Sequence, residues 1–357
     1  MLGLLSYIVE GLLVIVDGSI WVLPITPQLI LTIQVELCGG SMGLPARVSV
    51  NAGSRLHAGF YYVGRSWSIR WGGLGFYSAT PRIRVTASQC NGLRVEAGEW
   101  SGDVLRALEL LGSRDVCLRV ETDAKKHVGL GSTTQVLLSA SLAVLAVRKK
   151  LQRLDLDLVT KIALKLGRGR VSWVGTLLFY YGGFVMDSGV PSLPGPRPVA
   201  ALKVPEDWRF ILVIPATGRG MSEAEEDRLL REPWEPDPNI QWLMSMGALR
   251  LASGLARGDL EDALRGLDMV QRGTGSYFSK LQGGIYRSDL SAIVEKARGK
   301  GLVLAQSSWG PVLYTMAYRD EAGRVAELLS DIARSTGIGA RVLVSEPRNE
   351  GAKIAQF

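Results

Sequence analysis

"KKHVGLGSTTQ", residues 125–135, is a glycine-rich turn that runs into a helix. Gly129 and Gly131 allow the backbone to turn with its amides pointing inward. Ser132, Thr133 and Thr134 supply a cap and hydroxyl donors, and the helix behind adds the positive end of its dipole. Such a segment either cradles a phosphate or pyrophosphate, or is a helix start whose glycines merely pack closely. It is not the loop of ordinary NTPases, because no Gly-Lys-Ser/Thr closes it. The spacing of Gly129 and Gly131 begins a dinucleotide fingerprint, but Thr134 stands where the third glycine belongs. The helix that follows, about 133–147, is apolar on nearly every face, which predicts burial.

Outward from that turn, the pattern predicts a strand pair over 47–62 and another, with a glycine turn, over 72–88. A short helix is expected at 101–111, a strand at 115–123 and a helix at 156–166. The proline-rich stretch 192–205 marks a domain boundary. Beyond it come a buried strand (209–216) and helices near 222–231, 239–257, 259–271 and 289–299. Strand, turn and strand follow over 302–318, then a helix (321–335) and a strand (340–345). Strands first, then helices interleaved with strands, make an α+β chain of two lobes, 42–195 and 196–357.

A chain of 357 residues with an ordinary apolar fraction can bury a substantial core. Its net charge of +7 is carried mostly by scattered arginines, with no basic run or aromatic interleaving that would track a nucleic-acid strand. That balance suits small anionic substrates. Cys38, Cys90 and Cys117 have no metal-ligand or redox spacing, so buried thiols in a reducing cytoplasm are expected. Plentiful arginine and scarce asparagine point to a thermophile. The first 41 residues are strongly apolar, with no Lys or Arg before Arg47. They lack the basic start of a signal peptide, and their best uncharged window, 18–35, is short for a membrane span and holds Pro24 and Pro27. The leading expectation is a start codon misassigned upstream of Met42, ahead of an extra packed segment or a membrane anchor.

Two further segments have the chemistry of a site. In "LGRGRVSWVGTLLFYYGGFVMDSG" (166–189), Arg168 and Arg170 flank a glycine and make forks for carboxylate or phosphate, and Ser172 can cap the next helix. Asp187 can hold a metal, act as a base or pair with one of these arginines. In "AQSSWGP" (305–311), Gln306, Ser307 and Ser308 offer hydroxyl and amide groups, with Trp309 as a wall or stacking surface. The chain's two histidines, His57 and His127, both fall in such segments. Packed turns and a satisfied structural histidine are the plainer readings.

"SRLHAGF" (54–60), "HVGLGSTTQ" (127–135), "GRGR-S-x-x-G" with "GGFVMD" (167–187), "IPATGRGMSEAEE" (214–226) and "QSSWGPVLY" (306–314) together resemble the GHMP kinase superfamily. Within it they resemble an archaeal branch, the β-ribofuranosylaminobenzene 5′-phosphate synthases, in the right order over roughly residues 44–345. The resemblance implies a two-lobed GHMP-kinase-like α+β fold, with a ribosomal-protein-like N-terminal lobe and a ferredoxin-like C-terminal lobe. It further implies a cytoplasmic homodimer with neither nucleic-acid nor membrane partners. Enzymes of this branch join phosphoribosyl pyrophosphate to 4-aminobenzoate or 4-hydroxybenzoate. They release pyrophosphate and carbon dioxide, require Mg²⁺, and serve the synthesis of methanopterin-type cofactors.

Carried over by position, the resemblance gives His127, Gly129, Gly131, Ser132, Thr133 and Gln135 as phosphate-binding residues. Arg55, His57, Arg168, Arg170 and Asp187 become catalytic candidates, and Arg219, Ser222, Gln306, Ser307, Ser308 and Trp309 substrate-binding ones. The sequence departs from the branch at Lys125, Trp173, Tyr180 or Tyr181, and Ala305, where proline, glycine, an acid and glycine are usual. Two other functions use the same scaffold: an ATP-dependent small-molecule kinase, and a ligand-binding protein without catalysis.

Overall fold

The computed structural model describes residues 12–16, 19–23, 47–148, 151, 154–192, 195–216, 218, 220–221, 225–226, 230 and 233–357. The chain divides into two compact units, 1–43 and 44–357. In the first unit, β1 (Leu12–Val16) and β2 (Ser19–Leu23) form an antiparallel hairpin. Most of the apolar window 18–35, with Pro24, Pro27 and Cys38, lies outside the described residues. No helix among the described residues is long and apolar enough to cross a membrane.

The second unit is built on two sheets. Two long strands, β3 (Val48–Val63) and β4 (Trp71–Gln89), run antiparallel through the first. β4 pairs along one half with β6 (Val116–Thr122), which carries the parallel edge strand β5 (Leu93–Glu96). Along its other half β4 pairs with β7 (Phe184–Asp187), which pairs with β8 (Pro198–Leu202). The second sheet orders its strands as β10 (Ala305–Gln306), β11 (Leu313–Tyr318), β9 (Trp208–Pro215) and β12 (Ala340–Ser345). Finally β13 (Lys353–Gln356) returns to the first sheet beside β3.

The expected strand pairs at 47–62 and 72–88 are each one continuous strand. Glycines that read as turns mark close approaches instead. A Cβ on Gly75 would stand 2.4 Å from the Leu56 carbonyl oxygen. At Gly59, with φ +128°, it would stand 2.5 Å from Thr274 Oγ1. Register shifts beside Gly53, Gly59 and Tyr61 absorb the extra residues as bulges and bend β3 out of one layer toward the next.

Alternation then fixes the faces. Val48, Val50, Ala52, Ile83, Val85 and Ala87 point to one side, where α1 (Ser101–Leu110), α2 (Ser132–Val147), α3 (Leu156–Lys165) and α4 (Val174–Tyr181) cover them. As its composition requires, α2 is buried nearly throughout. Between the sheets, α5 (Pro238–Arg257) and α6 (Leu260–Tyr277) pack so closely that a Cβ on Gly266 would sit 2.3 Å from Leu251 N. Asp259 caps α6 by accepting from Asp262 N. After the short α7 (Ser279–Gln282), α8 (Ser291–Gly299) and α9 (Ala322–Ser335) close the outer face of the second sheet over Ile211, Val213 and Leu313.

One expectation about cysteine fails. Cys90 and Cys117 form a disulfide, their Cα atoms 5.7 Å apart, where the end of β4 meets β6. A separation of 27 residues hid the pairing, and only the strand register brings the two together. In the chain-entropy picture a loop of that length is worth about 3–4 kcal/mol. Alkylation of the unreduced, denatured protein should leave Cys90 and Cys117 unmodified, both reacting after reduction. Cys117→Ser should lose stability of that order in denaturant titrations.

Candidate active site

Four carbonyls of the glycine-rich turn are tied to protein. His127 O accepts from Gly220 N, Val128 O from Val312 N, Gly129 O from Ser307 Oγ and Leu130 O from Arg55 N. His127, Gly129 and Gly131 take left-handed backbone angles, with φ of 56°, 95° and 62°. Since the C=O and N–H of a peptide unit point in opposite directions, these ties turn the amides the other way. No acceptor among the described residues takes the amides of Gly129 to Thr134. Ser132 Oγ donates to Lys125 O and closes the turn on itself.

Against Gly131 lies the side chain of Arg55, so close that a Cβ there would be 2.7 Å from Arg55 Nε. The guanidinium has no hydrogen-bond or ion-pair partner among the described residues. Burial lowers its pKa to about 10, with Glu226 and Tyr314 acting in the opposite direction. Two residues along β3, His57 has both ring nitrogens engaged. Nδ1 accepts from Gly59 N at 3.2 Å, which leaves the proton on Nε2, 3.3 Å from Ser172 Oγ. Burial, then the charge of Arg55, pushes its pKa well below the ordinary histidine value, so the ring is neutral at pH 7.

Ser172 passes that contact on by donating to Asp187 Oδ2 at 3.1 Å. The same oxygen accepts from Trp173 N, and Oδ1 accepts from Gly73 N and Gly189 N. Asp187 is fully buried. Its two oxygens are taken up by these four donors, and neither Arg168 nor Arg170 is among them, so the expected pairing with an arginine is not formed. Its work is to pin the 172–174 segment to β4. Trp173 replaces a usual glycine for a visible reason: its indole fills the space where a Cβ on Gly169 would fall 2.4 Å away. That contact shapes the loop bearing Arg168 and Arg170.

From the second sheet, Ser307 accepts from His57 N and donates to Gly129 O, stitching β3, the turn and the 305–311 segment together. Gln306 is engaged throughout, through Gln271, Arg287, Gln282 and Ser308. Trp309 donates Nε1–H to Glu226 Oε1 at 3.2 Å, with its ring 4.8 Å from Phe278.

These elements enclose a cavity of about 170 Å³. Its lining includes the charged or polar side chains of Arg55, His57, Arg168 and Arg170 and the rings of Phe60, Phe278 and Trp309. Gln306 and Ser308 also line it. His127, Gly129, Gly131, Ser132 and Thr133 do not. The turn meets the cavity through Thr134 and through Arg55. Two candidates have structural work instead. Gln135 is fully buried, accepting from Tyr77 Oη and donating to Gly175 O, and Ser307 is buried between its two bonds. Arg219 and Ser222 lie outside the described residues.

Sequence reasoning missed Ser172 as a link in the wall, and missed Gln271, Thr274 and Phe278. The helix expected to end at 271 continues to Tyr277, because Gly273 and Gly275 are packing glycines: a Cβ on the latter would meet Ile285 O at 2.1 Å. Their periodicity with Leu267 and Val270 was the available signal.

Among the described residues, no three His, Cys, Asp or Glu side chains gather as a metal cage. Glu226 is the one carboxylate among the described residues lining the cavity. One carboxylate among the described residues fits Mg²⁺ that takes its other oxygens from substrate phosphates and water.

No family model matches the chain. Among solved structures it is similar to a homoserine kinase from Cytophaga hutchinsonii, with a TM-score of 0.64 at 18% identity, covering 88% of this chain and 99% of the other. A mevalonate pyrophosphate decarboxylase from Streptococcus pyogenes gives 0.62 at 12%, covering 87% and 99%. The fold is that of the GHMP kinases. Its two lobes are the expected α+β architecture. Among curated proteins, the chain is similar to the beta-ribofuranosylphenol 5′-phosphate synthases of Archaeoglobus fulgidus (26% identical, covering 84% of this chain and 97% of the relative) and Methanocaldococcus jannaschii (24%, 84% and 98%). The resemblance to that archaeal branch is thus met along the chain. A further structure with this fold, at a TM-score of 0.58, is described as a complex with MVAPP, AMPPCP and magnesium.

Burial raises the pKa of Asp187 from 3.8 to about 6 against the pull of its four donors. A carboxyl raised on folding contributes most to stability below its unfolded pKa, and that contribution is lost as pH rises through 6. The stability difference between wild type and Asp187→Asn should therefore shrink from pH 4 to pH 7. Denaturant unfolding at both values measures it.

Proposed function

We propose that this chain is a pentosyltransferase that joins the ribosyl 5-phosphate of phosphoribosyl pyrophosphate to a 4-substituted benzoate, releasing pyrophosphate and carbon dioxide, in the synthesis of a methanopterin-type cofactor. The observation that carries this reading is one cavity lined by the buried guanidinium of Arg55, by Arg168 and Arg170, and by the rings of Phe60, Phe278 and Trp309. Burial lowers the pKa of Arg55 more than Glu226 raises it, and an anionic ligand offsets that cost of burial. Substrates that are multiply anionic at one end and aromatic at the other fit both kinds of lining group.

Arg55, beside the open amides of the turn, holds the pyrophosphate. Arg168 and Arg170 take the 5′-phosphate or the benzoate carboxylate as a fork. Phe60, Phe278 and Trp309 hold the ring by its faces and exclude water. The bond from the anomeric carbon to pyrophosphate breaks with its electron pair leaving on pyrophosphate. The ring carbon bearing the carboxylate bonds to the anomeric carbon, and the bond to the carboxylate breaks with its pair returning to the ring. No proton moves at that carbon, so no general base is required. In keeping with this, His57 and Asp187 both have their polar atoms committed to the wall. Rate enhancement comes from positioning and from fixed positive charge where negative charge grows. Mg²⁺, when bound, neutralises pyrophosphate charge, and Glu226 is the carboxylate among the described residues that lines the cavity to share it.

Carbon dioxide should be released from carboxyl-labelled 4-hydroxybenzoate or 4-aminobenzoate only with phosphoribosyl pyrophosphate and Mg²⁺ present. ADP formation from ATP and an alcohol, with no carbon dioxide, would replace this reading by a kinase. Arg55→Met should lower kcat/KM for phosphoribosyl pyrophosphate by roughly 10²–10³-fold. The same substitution should leave Tm unchanged or raised, because it removes a buried charge whose desolvation outweighs its attraction to Glu226.

A further inference from the structure

One helix face in the cavity remains without a role in binding phosphate or carboxylate. Gln271 on α6 is 4% exposed, and its Oε1 accepts from Gln306 N at 3.0 Å. That bond fixes the orientation of the amide, so its NH₂ group is the end left over, and it has no acceptor among the described residues. Because the side chain lines the cavity, the free donor belongs to the cavity. One turn on, Thr274 Oγ1 accepts from Phe60 N at 3.0 Å, leaving the hydroxyl hydrogen available. Phe278 stands a further turn along, so two uncharged donors share one face with an aromatic ring. The rings of Phe60 and Trp309 lie against that of Phe278, their centroids 6.0 Å and 4.8 Å from it.

We infer that Gln271 and Thr274 bind the substituent para to the carboxylate on the acceptor ring, and that they select an oxygen there over an amino group. This rests on the proposed transfer reaction and specifies its acceptor. A phenol oxygen accepts from both donors. An arylamine delocalises its lone pair into the ring and presents two N–H groups, so donors would face donors and the buried amide would stay unpaired. Sites that place a fixed polar group against one partner discriminate strongly against a ligand of the wrong polarity. Thr274 can rotate its hydroxyl and adapt; Gln271 cannot, since Gln306 holds its carbonyl end. Gln271 is therefore the discriminating residue. The three charged side chains Arg55, Arg168 and Arg170 supply a different kind of contact, to groups that carry full negative charge.

The test compares wild type, Gln271→Glu and Gln271→Leu by carbon dioxide release from 4-hydroxybenzoate and 4-aminobenzoate at saturating phosphoribosyl pyrophosphate. Gln271→Glu keeps an oxygen for Gln306 N and turns the second position from donor to acceptor. Wild type should favour the hydroxy acid in kcat/KM, Gln271→Glu should shift the ratio toward the amino acid by at least about ten-fold, and Gln271→Leu should shrink it without inversion. KM for phosphoribosyl pyrophosphate should hold in all three, and Tm confirms that each is folded. A ratio equal in wild type and Gln271→Glu overturns the assignment. Should neither acid turn over in wild type, the transfer reaction fails, and calorimetric titration of both acids into wild type and Gln271→Glu decides the assignment separately. Unchanged relative affinities overturn it, and a reversed preference upholds it.

Discussion

Four tethered carbonyls in residues 127–130 govern the orientation of the glycine-rich turn, and with it the rest of the site. Each tether arrives from a different part of the chain: Gly220, Val312, Ser307 and Arg55. A glycine-rich segment left to itself has little preference for one set of angles over another. Here the left-handed angles at His127, Gly129 and Gly131 are held by contacts from both sheets. The side chain of Ser307 is central, since it reaches the turn with its proton and β3 with its lone pair. Whatever shifts β10 against β3 re-aims the amides.

The distribution of charge follows a consistent rule. Titratable groups inside the wall are satisfied by neutral donors and acceptors: Asp187 by three backbone amides and a hydroxyl, His57 by an amide and a hydroxyl. Arg55 departs from that rule. Its guanidinium is buried with no hydrogen-bonded partner among the described residues, and the charge of Glu226 offsets that burial only in part. That cost falls on a residue that lines the cavity.

The same scaffold serves kinases, and differences in local chemistry decide what this copy does. In the 305–311 segment, Gln306 and Ser307 are packing and stitching residues, with Ser308 and Trp309 facing the cavity. Trp309 joins Phe278 in an edge-to-face pair, so the space beside the arginines is walled by rings. A reaction at an aromatic carbon needs such walls; transfer to an alcohol needs a base, and the acid on β7 is sealed among its donors.

Much of the fold was legible along the chain because its strongest signals are local. Hydrophobic runs marked α2, β9 and β12, and the spacing of glycines with hydroxyl residues marked the turn. Glycines inside β3, β4 and α6 misled, since a glycine needed for close approach to a distant element is indistinguishable in sequence from one needed for a turn. For the same reason the Cys90–Cys117 pair was invisible: strand register, not spacing, sets their distance. Sequence by itself determined which segments carry cations, hydroxyls and rings, because residue type is a local property. Tertiary structure alone decided which of these polar atoms are left open, since a hydrogen-bond partner can come from 250 residues away, as Ser307 comes to His57.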